Sequence, residues 1–402
     1  MLIHWIWLSQ QNKVTARQKT ELLKIFHDPE EIYGAREEAL RQIEGMTPSA
    51  VDALGNKDLT AARKILKDCS EKSISILTFG DGAYPYRLKN TEDPPLVLYY
   101  RGCLPDWESV PVIGVVGTRK ASAYGLQTAA ELGYEIAACG ALLVSGGADG
   151  VDTQAMEGAL QTGKKVVAVL GFGADVVYPA KNRQLFQRIE KQGCLITEYV
   201  PGTPPYAWNF PNRNRIISGL SAGVLVVEAP ERSGALSTAR HAMEQGRDVF
   251  VVPGNINTPN CAGSNALLRE RATPVFNGWD VVRDYEVLYP GVIKRIPHKT
   301  APKLQVAQTP VYPDSYAGAG KPTDNKSIDK QEKSRYSVLE CEKLDLTPEE
   351  QAVVSLLTDM PCSVDAVIAN SQLPAGKVLS ILTVLALKGV VQNHPGKCVS
   401  LK

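Results

Sequence analysis

The sequence of 402 residues has little of what marks a membrane, secreted or catalytic protein. No apolar run approaches the ~18 residues needed to span a bilayer. The opening MLIHWIWLSQQ lacks the basic start and small-residue cleavage site of a signal peptide, so the expected compartment is the cytoplasm. The 8 cysteines are scattered singly, with no C-x-x-C pair and no Cys/His cluster at zinc spacing. They read as reduced, buried thiols, and no metal is expected. Net charge is nearly absent too, at +1. Any polyanion site must therefore be a local concentration of Lys and Arg, offset by acids elsewhere.

Catalytic motifs are equally scarce. Between residues 73 and 290 the only histidine is His241, and the chain has neither G-x-S-x-G nor H-E-x-x-H. Gly158-Ala-Leu-Gln-Thr-Gly163-Lys164-Lys165 nearly spells a P-loop. It lacks the final Ser or Thr for magnesium, and it leads into a strand where a P-loop leads out of one. Gly171-Phe172-Gly173 follows a strand without the third glycine of a dinucleotide fingerprint, and no acidic residue ends the next strand to hold a ribose. Asp149, Asp152 and Asp175 lie on glycine loops, where capping and turn formation account for them. No cofactor is expected, and the inventory fits a binding protein better than an enzyme.

What is present divides into four segments, and the length suggests about two or three domains. Residues 1–72 carry helix-period patterns, such as Thr20–Phe26 and Ala35–Ile43, punctuated by Gly45-Met46-Thr47-Pro48 and Gly55-Asn56. They form a small helical domain whose Gly45 turn loosely resembles a helix-hairpin-helix or SAM-like unit. Residues 73–290 change to short β-branched runs alternating with helices: 112–116, 142–144, 166–170, 195–197, 224–227 and 249–252. Near-continuous apolar strands of this kind predict a parallel sheet covered on both faces. Residues 291–343 are rich in Pro, Lys, Ser and Gln without periodicity, and read as a disordered linker. Residues 344–402 give a capping box at Thr347-Pro348-Glu349-Glu350, three helices (348–358, 363–370 and 374–388) and a hairpin around His394-Pro395-Gly396-Lys397. That pattern is a winged helix. Its third helix, Val378–Leu385, offers no Arg, Asn or Gln for base edges, which favours a protein contact or weak DNA contact.

In an open α/β sheet, ligands bind at the carboxyl ends of the strands. Five segments at those ends carry donors. Gly117-Thr118-Arg119-Lys120 opens a helix whose N–H groups suit a phosphate, and Ser145-Gly146-Gly147 exposes backbone donors. Tyr178-Pro179-Ala180-Lys181-Asn182 precedes another helix. Phe210-Pro211-Asn212-Arg213-Asn214-Arg215 reads as a loop bringing two guanidinium groups to the helix 216–221, and Ser233–Thr238 starts a helix carrying Arg240. Arg119, Lys181, Arg213 and Arg215 are suited to pair with phosphates, and Tyr178 and Phe210 to stack on bases. Alternatively, Arg213 and Arg215 are structural partners of Glu198 or Glu228.

In chain order, Val116-Gly117-Thr118-Arg119, Ser145-Gly146-Gly147-Ala148, Tyr178-Pro179-x-x-Asn182, the F-P-x-R-N-R-I-I-x-G-L-S string at 210–221, Ser233-Gly234-Ala235-Leu236 and Val252-Pro253-Gly254 resemble the bacterial DNA-processing protein A family, called DprA or Smf. The likeness covers about residues 75–285, Asp93–Tyr99 among them, and extends to the winged helix. It implies an α/β fold: an extended Rossmann-like parallel-sheet domain, flanked by the N-terminal helical domain and the C-terminal winged helix. It implies single-stranded DNA as ligand, a homodimer through the Rossmann-like domain, and loading of RecA onto incoming DNA during natural transformation. By this resemblance Arg119, Lys181, Arg213 and Arg215 line the pocket, with Gly146 and Gly147 at its floor. Arg119→Ala or Arg213→Ala is then expected to weaken binding and leave the fold intact. The sequence departs from the family at Asp149, Met156 and Arg271, where Arg, His and Gly are frequent. The rival reading is a nucleotide hydrolase of related fold. Such enzymes carry P-G-G-x-G-T and a helical Glu, whereas here Ser233–Thr238 is followed only late by Glu244.

Overall fold

The computed structural model describes residues 1–296, 347–357, 362–371, 373–388, 390–394 and 398–401. These fall into two compact units, one before and one after residue 310.

The first unit opens with α1 (Leu2–Ser9), α2 (Ala16–Phe26), α3 (Pro29–Gly34), α4 (Glu37–Arg41), α5 (Pro48–Gly55) and α6 (Thr60–Glu71). Local chemistry sets their ends. Thr15 and Gln18 form a reciprocal capping box at α2, and Thr47 caps α5 with Pro48 in its first turn. Of the helical pattern expected over 35–43, only the five residues of α4 are helical. Trp5, Ile6, Leu8, Leu22, Ile32 and Leu54 bury together, and Val97 and Tyr99 of the sheet join the same core.

The sheet is mostly parallel. Among the described residues its strands are β1 (Ser75–Thr78), β2 (Val97–Gly102), β3 (Val112–Val116), β4 (Leu142–Ser145), β5 (Val166–Val169), β6 (Cys194–Thr197), β7 (Gly223–Val226), β8 (Asp248–Val251) and β9 (Thr273–Pro274). Their spatial order is β1-β2-β6-β5-β4-β3-β7-β8-β9. β1 and β2 form an antiparallel pair added to β6, an extension that the expected strand set, beginning at residue 112, does not include. The chain runs outward from β3 through β4 and β5 to β6, then returns to lay β7 beside β3 in parallel. The switch of direction therefore falls between β3 and β7.

Helices cover both faces: α7 (Tyr86–Lys89), α8 (Ala123–Ala138), α9 (Val151–Leu160), α10 (Arg183–Gln192), α11 (Asn209–Leu220), α12 (Gly234–Glu244), α13 (Pro259–Arg269) and α14 (Gly278–Val282). Alternate residues of each strand feed different cores. Ile113, Val115 and Leu143 pack with α8, α9 and α10, whereas Val112, Val116 and Val144 pack with α11 and α12. Both faces of the strands are buried, which is why the strands read as unbroken apolar runs. The glycine that opens the near-P-loop has a packing reason. A β-carbon on Gly158 would stand 2.0 Å from Ala130 O, and one on Gly133 2.2 Å from Ala155 O. Those glycines let α8 and α9 touch backbone to backbone.

The chain stays packed beyond α14: Ile293 is buried and Lys294 N–H donates to Cys139 O. The rest of the expected linker, with the chain up to residue 346, lies outside the described residues.

In the second unit, helices span Pro348–Val354, Val364–Ser371 and Ala375–Leu387, and strands Cys362–Ser363, Val391–His394 and Cys398–Leu401 form an antiparallel sheet. Thr347 and Glu350 make the expected capping box, and Lys388 pairs with Glu350 at 3.0 Å. Val353, Val367, Val378, Leu382, Leu385, Val391 and Val399 form its core. Three helices and a hairpin make the winged helix. The turn residues 395–397 lie outside the described residues.

Candidate nucleic-acid interface

Beyond the carboxyl ends of the neighbouring strands β3 and β7, the loops after β3, β4 and β7 and the start of α11 enclose a cavity of about 400 Å³. This is the crevice that a doubly wound sheet offers to a ligand. Arg119, Lys120 and Arg232 line it and are exposed, while Asp152 and Arg213 line it from buried positions. A second cavity of about 230 Å³ shares Arg119, Ala148 and Phe210 with the first and adds Gly146, Gly147, Phe172 and Tyr178. Phe210 joins the two. Its ring centroid lies 5.9 Å from that of Tyr178 and 6.5 Å from that of Phe172. The Arg119 guanidinium sits 5.0 Å from the Phe210 ring centroid. An aromatic face and a cation thus stand together at the entrance, able to meet a base and a phosphate.

The floor is a buried charge couple. Arg213 is 3% exposed; its Nη1 donates to Val169 O, and its Nε has no partner. Burial pulls its pKa down to about 10, opposed by the Asp152 carboxylate, so it remains cationic at neutral pH. Burial pushes Asp152 up to about 6, opposed by Arg213 and by N–H donors from Ala148 and Gly146. Those donors lie at 3.3 Å and 3.2 Å, so the carboxylate also shapes the glycine loop after β4.

Several expected site residues stand differently in three dimensions. Residues 210–215 are not a loop: α11 begins at Asn209. At 100° per residue, Arg213 and Arg215 project about 200° apart around that helix. Arg213 enters the pocket floor, while Arg215 donates to Asp93 at 3.0 Å and Glu198 at 2.6 Å. Arg215 is therefore a structural arginine, tying α11 to the segment before β2 and to the end of β6. The N-terminus of α8 holds no room for an external phosphate. Glu228, 2% exposed, accepts from Ser122 N at 2.9 Å and Ser122 Oγ at 2.6 Å. An internal carboxylate already meets that helix start. Gly125 is needed there, since a β-carbon would stand 2.4 Å from the Glu228 carboxylate.

Ser145 is fully buried, its Oγ donating to Val115 O at 2.6 Å. Asn182 is buried and donates to Gly147 O and Thr153 Oγ1, fixing the glycine loop from behind. Arg240 is exposed on α12 and lines neither cavity. Lys181 remains at the surface but is paired with Asp149. Gly117 and Asn214 do line the larger cavity, with Asn214 Nδ2 also donating to Gly234 O and Ser237 Oγ. His241 pairs with Glu244 on the surface of α12. Arg232 has no assigned role in the sequence pattern, and Asp152 is accounted for there by capping and turn formation, not as a pocket residue. Arg232 precedes the Ser233-Gly234 turn directly, a signal that was available; Asp152 gave none beyond its glycine neighbours.

No cluster of three or more metal-ligating side chains occurs among the described residues, and no described helix is long and apolar enough to cross a membrane. Fold and pocket together define an α/β protein with a cationic, aromatic-edged crevice at the switch point of an open sheet. The family model described as DNA recombination-mediator protein A matches residues 75–286, and the DprA winged helix domain model matches 342–397. The chain belongs to the DNA recombination-mediator protein A family. It is 32% identical to Protein Smf of Synechocystis over 399 residues, spanning 98% of this chain and 97% of that protein. It is 43% identical over 216 residues to the DNA processing protein DprA of Streptococcus pneumoniae, spanning 53% of this chain and 74% of the relative. The X-ray structure of DprA from that organism superposes with a TM-score of 0.62 at 33% identity, over 71% of this chain and 98% of that one.

Proposed function

We propose that the chain binds single-stranded DNA in the crevice between β3 and β7 and hands it to RecA, acting as a homodimer in the cytoplasm and catalysing no reaction. The carrying observation is the pairing of Arg119 with the Phe210 face at the entrance, above the buried Arg213. Phosphates would meet Arg119, Arg232 and, once released from Asp149, Lys181; bases would lie against Phe210 and Tyr178. None of these contacts reads a base edge, so binding is indifferent to sequence. Arg213 acts from below, through its field and by holding the floor in shape.

A nucleotide-hydrolase reading would rest on Asp152, the acid raised towards neutrality in this pocket. Its carboxylate is engaged by two backbone N–H groups and faces a buried arginine, which suits a scaffold role better than a general base.

Fluorescence anisotropy with single-stranded oligonucleotides and matched duplexes, across a salt series, tests the proposal. Single strands should bind more tightly, with a log–log salt slope of about −0.7 per neutralised phosphate. Absence of binding at low salt, or release of base from nucleoside monophosphates, sinks it. Light scattering tests the dimer, and strand exchange with RecA tests the handover.

A further inference from the structure

Outside the pocket, two aromatic rings stand in solvent beside its rim. Tyr206 and Trp208 are 44% and 64% exposed and stack on one another, with centroids 4.6 Å apart and planes within 8°. Ala207, between them, lines the larger cavity, and Phe210, two residues on, joins both cavities. The rings are thus continuous with the crevice along the chain.

The segment carrying them is tied down. Gly173 N–H donates to Thr203 O, and Gly202 N–H donates to Asp175 Oδ1 at 2.8 Å. Asn209 Nδ2 donates to Gly171 O, while Tyr199 OH donates to Asn209 O. The aromatic pair is therefore fixed to the loop after β5, the loop that also supplies Phe172 to the smaller cavity. Large exposed rings forgo burial, and holding them in place beforehand lowers the ordering cost of whatever they bind. An aromatic face beside a cationic groove suits one ligand chemistry well, a flat base on a charged backbone.

We propose that Tyr206 and Trp208 form a stacking platform for an unpaired nucleobase of a strand leaving the pocket. This rests on the single-strand reading above and adds to it a contact outside the crevice. Tyr206 backs one side of the pair, and the base stacks on the exposed indole. A duplex keeps its bases stacked inside, so the platform favours single strands, and any base serves because every base has a flat face.

Trp208 carries its own reporter. Of the 5 tryptophans, Trp5, Trp7 and Trp107 are buried and Trp279 is half-buried, so Trp208 alone is exposed. The full chain is titrated with a thymidine oligonucleotide and with an abasic strand of equal length, reading intrinsic fluorescence and anisotropy. The thymidine strand should quench the emission. Trp208→Ala should weaken its binding about tenfold, within the range found for one stacked base, and abolish the quench. Trp208→Phe should lose the quench yet keep most of the affinity, and neither variant should change abasic binding. Both side chains would be exposed, so the fold is not at risk. If Trp208→Ala binds the thymidine strand as tightly as wild type, or the quench survives in it, the platform is overturned while the DNA reading stands. If wild type binds neither strand at low salt, both fall.

Discussion

Gly146 and Arg213 are fitted to one another: a β-carbon on Gly146 would stand 2.1 Å from Arg213 Nη1. The guanidinium lies flat against the glycine loop after β4, held by Val169 O on the neighbouring strand. Being buried, it has no easy way to yield. Gly146→Ala should therefore cost about 1–3 kcal/mol of stability by overpacking and weaken single-strand binding with it. Chemical denaturation together with anisotropy reads both; a variant of unchanged stability would show that the floor can rearrange.

Arg119→Ala and Arg213→Ala should separate. Arg119 is exposed, so its loss should reduce single-strand affinity about fivefold or more, flatten the salt slope by about 0.7, and leave the melting temperature alone. Arg213→Ala would strand the buried Asp152 carboxylate and the Val169 carbonyl, lowering stability by about 3 kcal/mol as well as affinity. The expectation that both variants leave the fold intact is thus kept as a prediction for Arg119→Ala and replaced for Arg213→Ala, whose side chain is buried. Equal melting of the two variants would contradict this division.

Asp152 predicts a pH dependence of binding. With its pKa raised to about 6, the carboxyl is ionised above that pH and neutral below it. An ionised carboxylate beside a phosphate opposes binding. Affinity should therefore rise about three- to tenfold as pH falls from 8 to 5, and Asp152→Asn should bind with no such step. A wild-type profile flat across that range would remove Asp152 from the electrostatics of the site.

Lys181 is bound to Asp149 in the free protein, and a phosphate must displace that carboxylate. Asp149→Ala should raise single-strand affinity roughly two- to fivefold at low salt, the gain fading as salt screens the pair. In the Lys181→Ala background the same change should do nothing. A gain that persists there would mean that Asp149 acts elsewhere.

Glu228 tests the inner scaffold. Its carboxylate takes two hydrogen bonds from Ser122 at the start of α8. Glu228→Ala should cost about 2–4 kcal/mol, since it empties a buried acceptor and leaves the helix start unmet. Urea unfolding measures it; a loss under about 1 kcal/mol would mean that water replaces the carboxylate there.

The sequence by itself determined the alternation of strand and helix, because strands buried on both faces must be continuously apolar and their helices amphipathic. It determined the capping box at Thr347, which is local chemistry within four residues. It placed the glycine loops and Arg119 at one rim, since parallel connections put every strand's carboxyl end on the same side. The F-P-x-R-N-R string carried the family likeness without the geometry of its arginines. Only the tertiary structure decided that Arg213 faces the pocket while Arg215 serves Asp93, 122 residues away. It alone seated Glu228 on Ser122, 106 residues distant, and closed the α8 start to outside anions. Pairs so far apart leave no local pattern, because a charge is read by its neighbours in space and the sequence lists only those along the chain.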